Sequence, residues 1–151
     1  MKTVSNLEGL RSLVGQDLGE SSWREVTQDE VNAFADMTGD HQWIHIDQAR
    51  AKAGPYGGTV AHGFLTLALI AGLIREVLSV KGTSLAVNYG LNRVRFPAPL
   101  LVGSRVQLRA RLLSLEEIPN GVQTVLEATI LAEGQAKPCC VAEPVFRYYF
   151  S

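Results

Sequence analysis

Across residues 64–74 nearly every side chain is apolar or small, and no polar face interrupts the run until Arg75 and Glu76. A helix at a protein surface carries a polar stripe on its solvent side, so a helix without one calls for cover all round. The run is too short to span a bilayer. In a chain of 151 residues, long enough for one domain with a sizeable core, the simplest cover is a sheet curled around the helix. The second half of the chain supplies the strands. Residues 105–112 alternate polar and apolar without an error, the pattern of a half-buried strand. Residues 84–95 and 123–131 are also strand-like, and Pro119-Asn120-Gly121 is a turn signal between two of these segments. A last strand is expected over 139–150. Pro144 cannot donate a ladder hydrogen bond, which predicts an edge strand or a bulge there.

Ahead of the apolar run the signals are helical. Leu7, Leu10, Leu13 and Val14 predict a short helix over 6–14, ended by Gly15. A brief extended piece over 21–26 leads to Thr27-Gln28-Asp29-Glu30, which has the form of a capping box. Val31, Phe34 and Ala35 share one face of the helix that follows, and Gly39 is its natural stop. Asp47 is placed to cap another short helix over 48–52. Helices first and antiparallel strands later is α+β order, and 1–151 reads as one domain on which 1–26 packs as an N-terminal extension.

Composition narrows the function by exclusion. The formal net charge is −1 with no run of Lys or Arg, so neither a nucleic acid nor an anionic membrane is an expected partner. The only cysteines, Cys139 and Cys140, are adjacent, which argues against a disulfide framework and against a CxxC zinc site. Residues 1–15 lack the pattern of a secretory signal, and a cytoplasmic location is expected.

The candidate chemistry lies just past Gly39. Asp40 and His45 would diverge on an intact helix and converge only if the backbone turns between them. A carboxylate and an imidazole in one small space can hold a water and divide acid and base roles near neutral pH. A capping Asp beside a packed His would carry the same residues. A metal reading would gather Asp40, His41, His45, Asp47 and His62, but neither His-x3-His on a helix nor a CxxC anchors it, and no metal or other cofactor is expected. Gly63 sits where a loop enters the apolar helix. Its free N–H could hold an oxyanion, or the glycine could simply allow close packing. His62 reads as structural, and Tyr89 and Trp43 either shape the pocket or simply pack.

Three signals in order resemble the MaoC-like, (R)-specific enoyl-CoA hydratases of the hotdog fold. Residues 34–45 are similar to that family's hydratase motif, 59–63 to its entry into the central helix, and Val94-Arg95-Phe96-Pro97-Ala98-Pro99 with Gly103 to its strand signature. One departure stands out: Gln42-Trp43 replaces the family's usual Asn-Pro, so no proline dihedral fixes the turn.

The resemblance implies a hotdog fold, an antiparallel sheet curled around a long central helix, with hotdog subunits pairing as homodimers. It implies Asp40 and His45 as catalytic residues, Gly63 as the group that binds the thioester carbonyl, and Phe96 as a wall of the acyl channel. The implied reaction is reversible, cofactor-free addition of water to a trans-2-enoyl thioester of coenzyme A or acyl-carrier protein, giving the (R)-3-hydroxyacyl product. Two rivals are a hotdog acyl-CoA thioesterase and an inactive acyl-thioester-binding subunit.

Overall fold

The computed structural model describes residues 1–150. The chain opens with β1 (Lys2–Val4) and α1 (Leu7–Ser12), whose Asn6 cap accepts a hydrogen bond from the Gly9 N–H. Two short strands, β2 (Asp17–Glu20) and β3 (Arg24–Glu25), come next. They lead into α2 (Gln28–Thr38), where both bonds of the Thr27/Glu30 capping box are made and Gly39 ends the helix at φ 79°. Such a left-handed cap is open to glycine without a steric cost. Two short helices, α3 (Trp43–Ile46) and α4 (Gln48–Lys52), then precede the apolar run. Asp47 caps α4 by accepting from the Arg50 N–H, as its position predicts.

The run itself forms α5 (Gly63–Ala68) and α6 (Ile70–Val77), joined through Leu69. Leu69 keeps right-handed dihedrals, and the Leu73 N–H still bonds its carbonyl, so the axis continues. After β4 (Leu78–Val80) come four long strands: β5 (Thr83–Arg95), β6 (Arg105–Ile118), β7 (Gly121–Ala132) and β8 (Cys140–Phe150). The main sheet runs β2-β6-β7-β8-β5 with β3 also on β6, every pair antiparallel, while β1 and β4 pair in parallel beside it.

Alternation on β7 is complete: Val122, Thr124, Leu126, Ala128, Ile130 and Ala132 are all buried. They share one core with Ile70, Leu73, Ile74 and Val77 of α6. Residues 1–26 enter the same core through Val4, Leu10, Leu13, Leu18 and Val26.

One expectation resolves and another changes. Of the edge strand or bulge expected at Pro144, the bulge is what forms, since β8 is flanked by β5 and β7. Pro144 is fully buried there, and the β5 register slips on both sides of its partner Leu91, so the bulge absorbs the missing donor. The central helix, against expectation, is not covered all round by its own chain. Phe64 is 74% exposed, and Ala68, Ala71 and Gly72 lie open on the same side. The physical reason is that a single layer of strands can wrap only the face turned toward it.

Candidate active site

The capping glycine after α2 frees the chain to turn, and α3 then carries His45 back toward the start of α5. Trp43 holds this turn in place of a proline. Its ring lies against Gly54, where an added Cβ would meet it at 3.1 Å, and the Arg50 guanidinium covers it at 4.2 Å from the ring centroid. Packing therefore supplies the restraint that a fixed dihedral would otherwise give.

His45 is buried and strongly held. Its Nδ1 lies 2.6 Å from the Val60 carbonyl, and a carbonyl can only accept, so Nδ1 carries the hydrogen and Nε2 is left with the lone pair. The Gln28 amide donates to the His45 backbone carbonyl at 2.8 Å, and the Thr59 hydroxyl donates to the same Gln28 side chain at 2.6 Å. The segment carrying Thr59, Val60 and Ala61 is fixed in turn by bonds to Leu100 and Val102. Two imidazoles then stack: the His62 ring lies 3.8 Å from that of His45, tilted by 25°.

Asp40, His45 and His62 each bring a donor atom to within 4.8 Å of the other two. The convergence expected of Asp40 and His45 is therefore present, with Asp40 exposed and both histidines buried. The trio makes a poor metal cage. A histidine binds a metal in its own ring plane, and the planes of two stacked rings meet only far from the nitrogens.

His45, Gly63 and Phe96 line one cavity of about 420 Å³, together with Tyr56, Thr66 and Cys139. Asp40 is not one of the residues lining that cavity, and its carboxylate lies within 4.8 Å of a His45 ring nitrogen. Gly63 is the first residue of α5, and His62 before it offers no side-chain cap, so the first-turn N–H groups have no partner within the helix. A Cβ on Gly63 would meet the Phe96 ring at 3.0 Å, so close packing also requires glycine here. The two sequence readings of Gly63 are thus compatible. Phe96 is 43% exposed and covers the helix start.

Tyr89 and Trp43 fall away from the cavity. Tyr89 is exposed on β5 beneath the Arg147 guanidinium, and Trp43 is occupied with Gly54. His41 faces solvent and pairs with Asp36 at 2.8 Å, an interaction that raises its pKa above the usual imidazole value. Burial pushes the Cys139 thiol up, which makes a nucleophilic role unsuitable. The sequence reading underrated two residues. Gln28 looked like part of a cap and anchors His45; His62 looked structural and touches both Asp40 and His45. The signal for His62 was a polar ring placed directly between apolar Val60-Ala61 and an apolar helix.

Known proteins match this chain along most of its length. The 3-hydroxyacyl-thioester dehydratase Z of Mycobacterium tuberculosis is 53% identical over 149 residues, covering 98% of this chain and 99% of the relative. Nodulation protein N of Rhizobium meliloti is 41% identical over 140 residues, covering 91% and 87%. A solved (R)-hydratase from A. caviae involved in PHA biosynthesis superposes with a TM-score of 0.70 at 25% identity, covering 85% of this chain and 93% of that one. The sheet about its helix is a hotdog fold, and the enzyme class is that of the hydro-lyases. Residues 10–132 match the family described as MaoC like domain, and the chain belongs to that family.

Proposed function

We propose that this hydro-lyase is an (R)-specific enoyl-CoA hydratase, adding water reversibly to trans-2-enoyl thioesters to give (R)-3-hydroxyacyl-CoA. The observation that carries this is the convergence of Asp40 and His45 within 4.8 Å, with His45 on the wall of a cavity that also holds Gly63. Relatives named for the dehydration of 3-hydroxyacyl thioesters support it, because elimination and addition of water are one reaction run in two directions. The same site accepts the intact acyl thioester of coenzyme A or of an acyl-carrier protein. The placement is cytoplasmic, and no helix among the described residues is long and apolar enough to cross a membrane.

Asp40 and His45 hold one water against C3. The Nε2 lone pair of His45 takes a proton as the water oxygen bonds to C3, and the electrons of the double bond move onto the thioester oxygen. The Gly63 N–H stabilises that enolate, a role worth about 3 kcal/mol for one donor in comparable oxyanion sites. A proton from the acid–base pair then returns to C2, and the balance closes with neither metal nor redox cofactor.

Residues 1–151 act as one domain, and two copies assemble as a homodimer that covers the open side of α5 and α6. Phe64 at 74% exposure is the strongest support for that cover.

Incubation with crotonyl-CoA tests the reaction. Loss of enoyl absorbance without free thiol, and an (R) alcohol, is the expected result; free thiol would mean hydrolysis, and no change an inactive binding subunit. Asp40→Asn and His45→Gln should each lower kcat about a hundredfold or more, with little effect on binding. Because both residues grip one water, the double variant should be hardly worse than the worse single one. Simple addition of the two losses in log kcat would exclude a shared water.

A further inference from the structure

The two members of the pair are held very unequally. His45 is fixed by the Val60 carbonyl at 2.6 Å on its ring, by Gln28 at 2.8 Å on its carbonyl, and by its own N–H on the Gln42 carbonyl at 3.0 Å. Asp40 is exposed, and two of its bonds are long: its N–H to the Thr38 hydroxyl and its Oδ1 from the Gln42 N–H, each 3.4 Å. Its one bond of ordinary length among the described residues is to His62, whose Nε2 lies 3.0 Å from the Asp40 carbonyl oxygen. Since a carbonyl accepts, His62 donates from Nε2. In the neutral ring its Nδ1 is then a bare lone pair.

That Nδ1 is buried with no hydrogen-bond partner among the described residues, in a side chain only 2% exposed. An unsatisfied buried acceptor is a cost that folded chains rarely keep without a use for the group. If filling space were the whole task, phenylalanine would fill it without an orphaned atom. What the imidazole adds is the Nε2–H bond to Asp40, while its face packs on His45.

Resting on the hydratase reading above, we propose that His62 is a positioning residue that registers Asp40 against His45. A water gripped by two groups requires both in place, and a displacement of about 1 Å can cost a hundredfold in rate. Loss of this bond leaves the cavity and the Gly63 donor intact. The defect therefore falls on kcat and not on KM.

Two substitutions separate the contacts of His62. His62→Phe keeps a ring to stack on His45 and deletes the donor; His62→Gln restores an amide N–H near the position of Nε2 and deletes the ring. With crotonyl-CoA as substrate, His62→Phe should lose tenfold or more in kcat with KM within threefold of the parent, and His62→Gln should recover most of that loss. A folded His62→Phe with parental kcat, or a His62→Gln no better than His62→Phe, overturns the proposal. So does a loss that follows melting temperature in both variants, because that is the mark of packing alone. The Asp40→Asn variant is the control: if the parent hydrates crotonyl-CoA and Asp40→Asn does not, an unaffected His62→Phe removes this inference only. A parent that leaves crotonyl-CoA unchanged removes the hydratase reading and this inference together. Should neither variant fold, imidazole nitrogen-15 spectra of the parent near pH 8 still decide. Neutral His45 is expected as the Nδ1–H tautomer and neutral His62 as the Nε2–H tautomer; Nδ1–H at His62 refutes the bond on which the proposal stands.

Discussion

The two edges of the main sheet are built in opposite ways. At one edge stand β2 and β3, four and two residues long, with a bulge between Asp17 and Gly19. Their charges are paired locally: Glu20 with Arg109, and Arg24 with Glu30. Ser22 between them donates twice to the Glu76 carboxylate on α6, tying this edge to the helix. The other edge is β5, thirteen residues long and paired on one side only among the described residues, with Leu85 55% and Leu91 43% exposed. Short, bulged and charged edges resist pairing with another chain, whereas a long apolar edge invites it. The bare edge also lies on the side where the helix face around Phe64 is open: Phe64, Ala68, Asn88 and Leu91 line one pocket. One edge is finished within the chain, and the other is finished, on the proposed reading, by a second copy.

The sharpest way to break this contrast is to place a charge on β5. Leu85→Glu should weaken self-association a hundredfold or more, about 2.7 kcal/mol, read by sedimentation equilibrium. Glu20→Ala at the opposite edge should leave it unchanged. A parent that sediments only as a monomer at micromolar concentration would make both edges equivalent.

A smaller effect is expected beneath β5, where Tyr148 lines a cavity of about 360 Å³ with Ile74 and Val87. Burial pushes its hydroxyl from the usual 10 up to about 12. The folded state thus keeps the proton longer than the unfolded chain, so this contribution to stability is full below about pH 10 and lost as pH rises through about 12. Urea midpoints compared at the two ends of that window should fall more for the parent than for Tyr148→Phe.

The smallest effect belongs to the finished edge. Donors on Ser22, first its hydroxyl and then its N–H, lower the Glu76 pKa below the usual 4.5. A lowered carboxylate pKa stabilises the fold above the unfolded value and ceases to do so as pH falls through the folded one. Ser22→Ala should therefore reduce the melting temperature slightly at neutral pH and not at pH values where Glu76 is protonated in both states. An equal loss at both would assign Ser22 a packing role.

Local signals were legible in the sequence wherever the deciding contacts lie within a few residues. The Thr27/Glu30 box and the Gly39 stop were readable because a helix end is satisfied by its own turn. The alternation on residues 105–112 was readable because one buried face imposes a period of two. β2 was not, since it carries no period of its own and owes its extended form to pairing with distant β6, the strand that also holds β3 within the extended piece expected over 21–26. The replacement of Asn-Pro by Gln42-Trp43 could not be interpreted until Trp43 was seen against Gly54.

Sequence by itself determined the α+β order, the apolar central helix, the family and the approach of Asp40 to His45, because each rests on local pattern or on ordered motifs. Only the tertiary structure decided which face of the helix its own strands leave open, that β8 is an interior strand in spite of Pro144, and that His62 packs on His45 while bonding the Asp40 backbone carbonyl. The reason is physical: a strand's neighbours, a helix's bare side and the partner of a buried nitrogen are fixed by residues far apart in the chain. Their meeting depends on how the whole core closes, and no local periodicity records it.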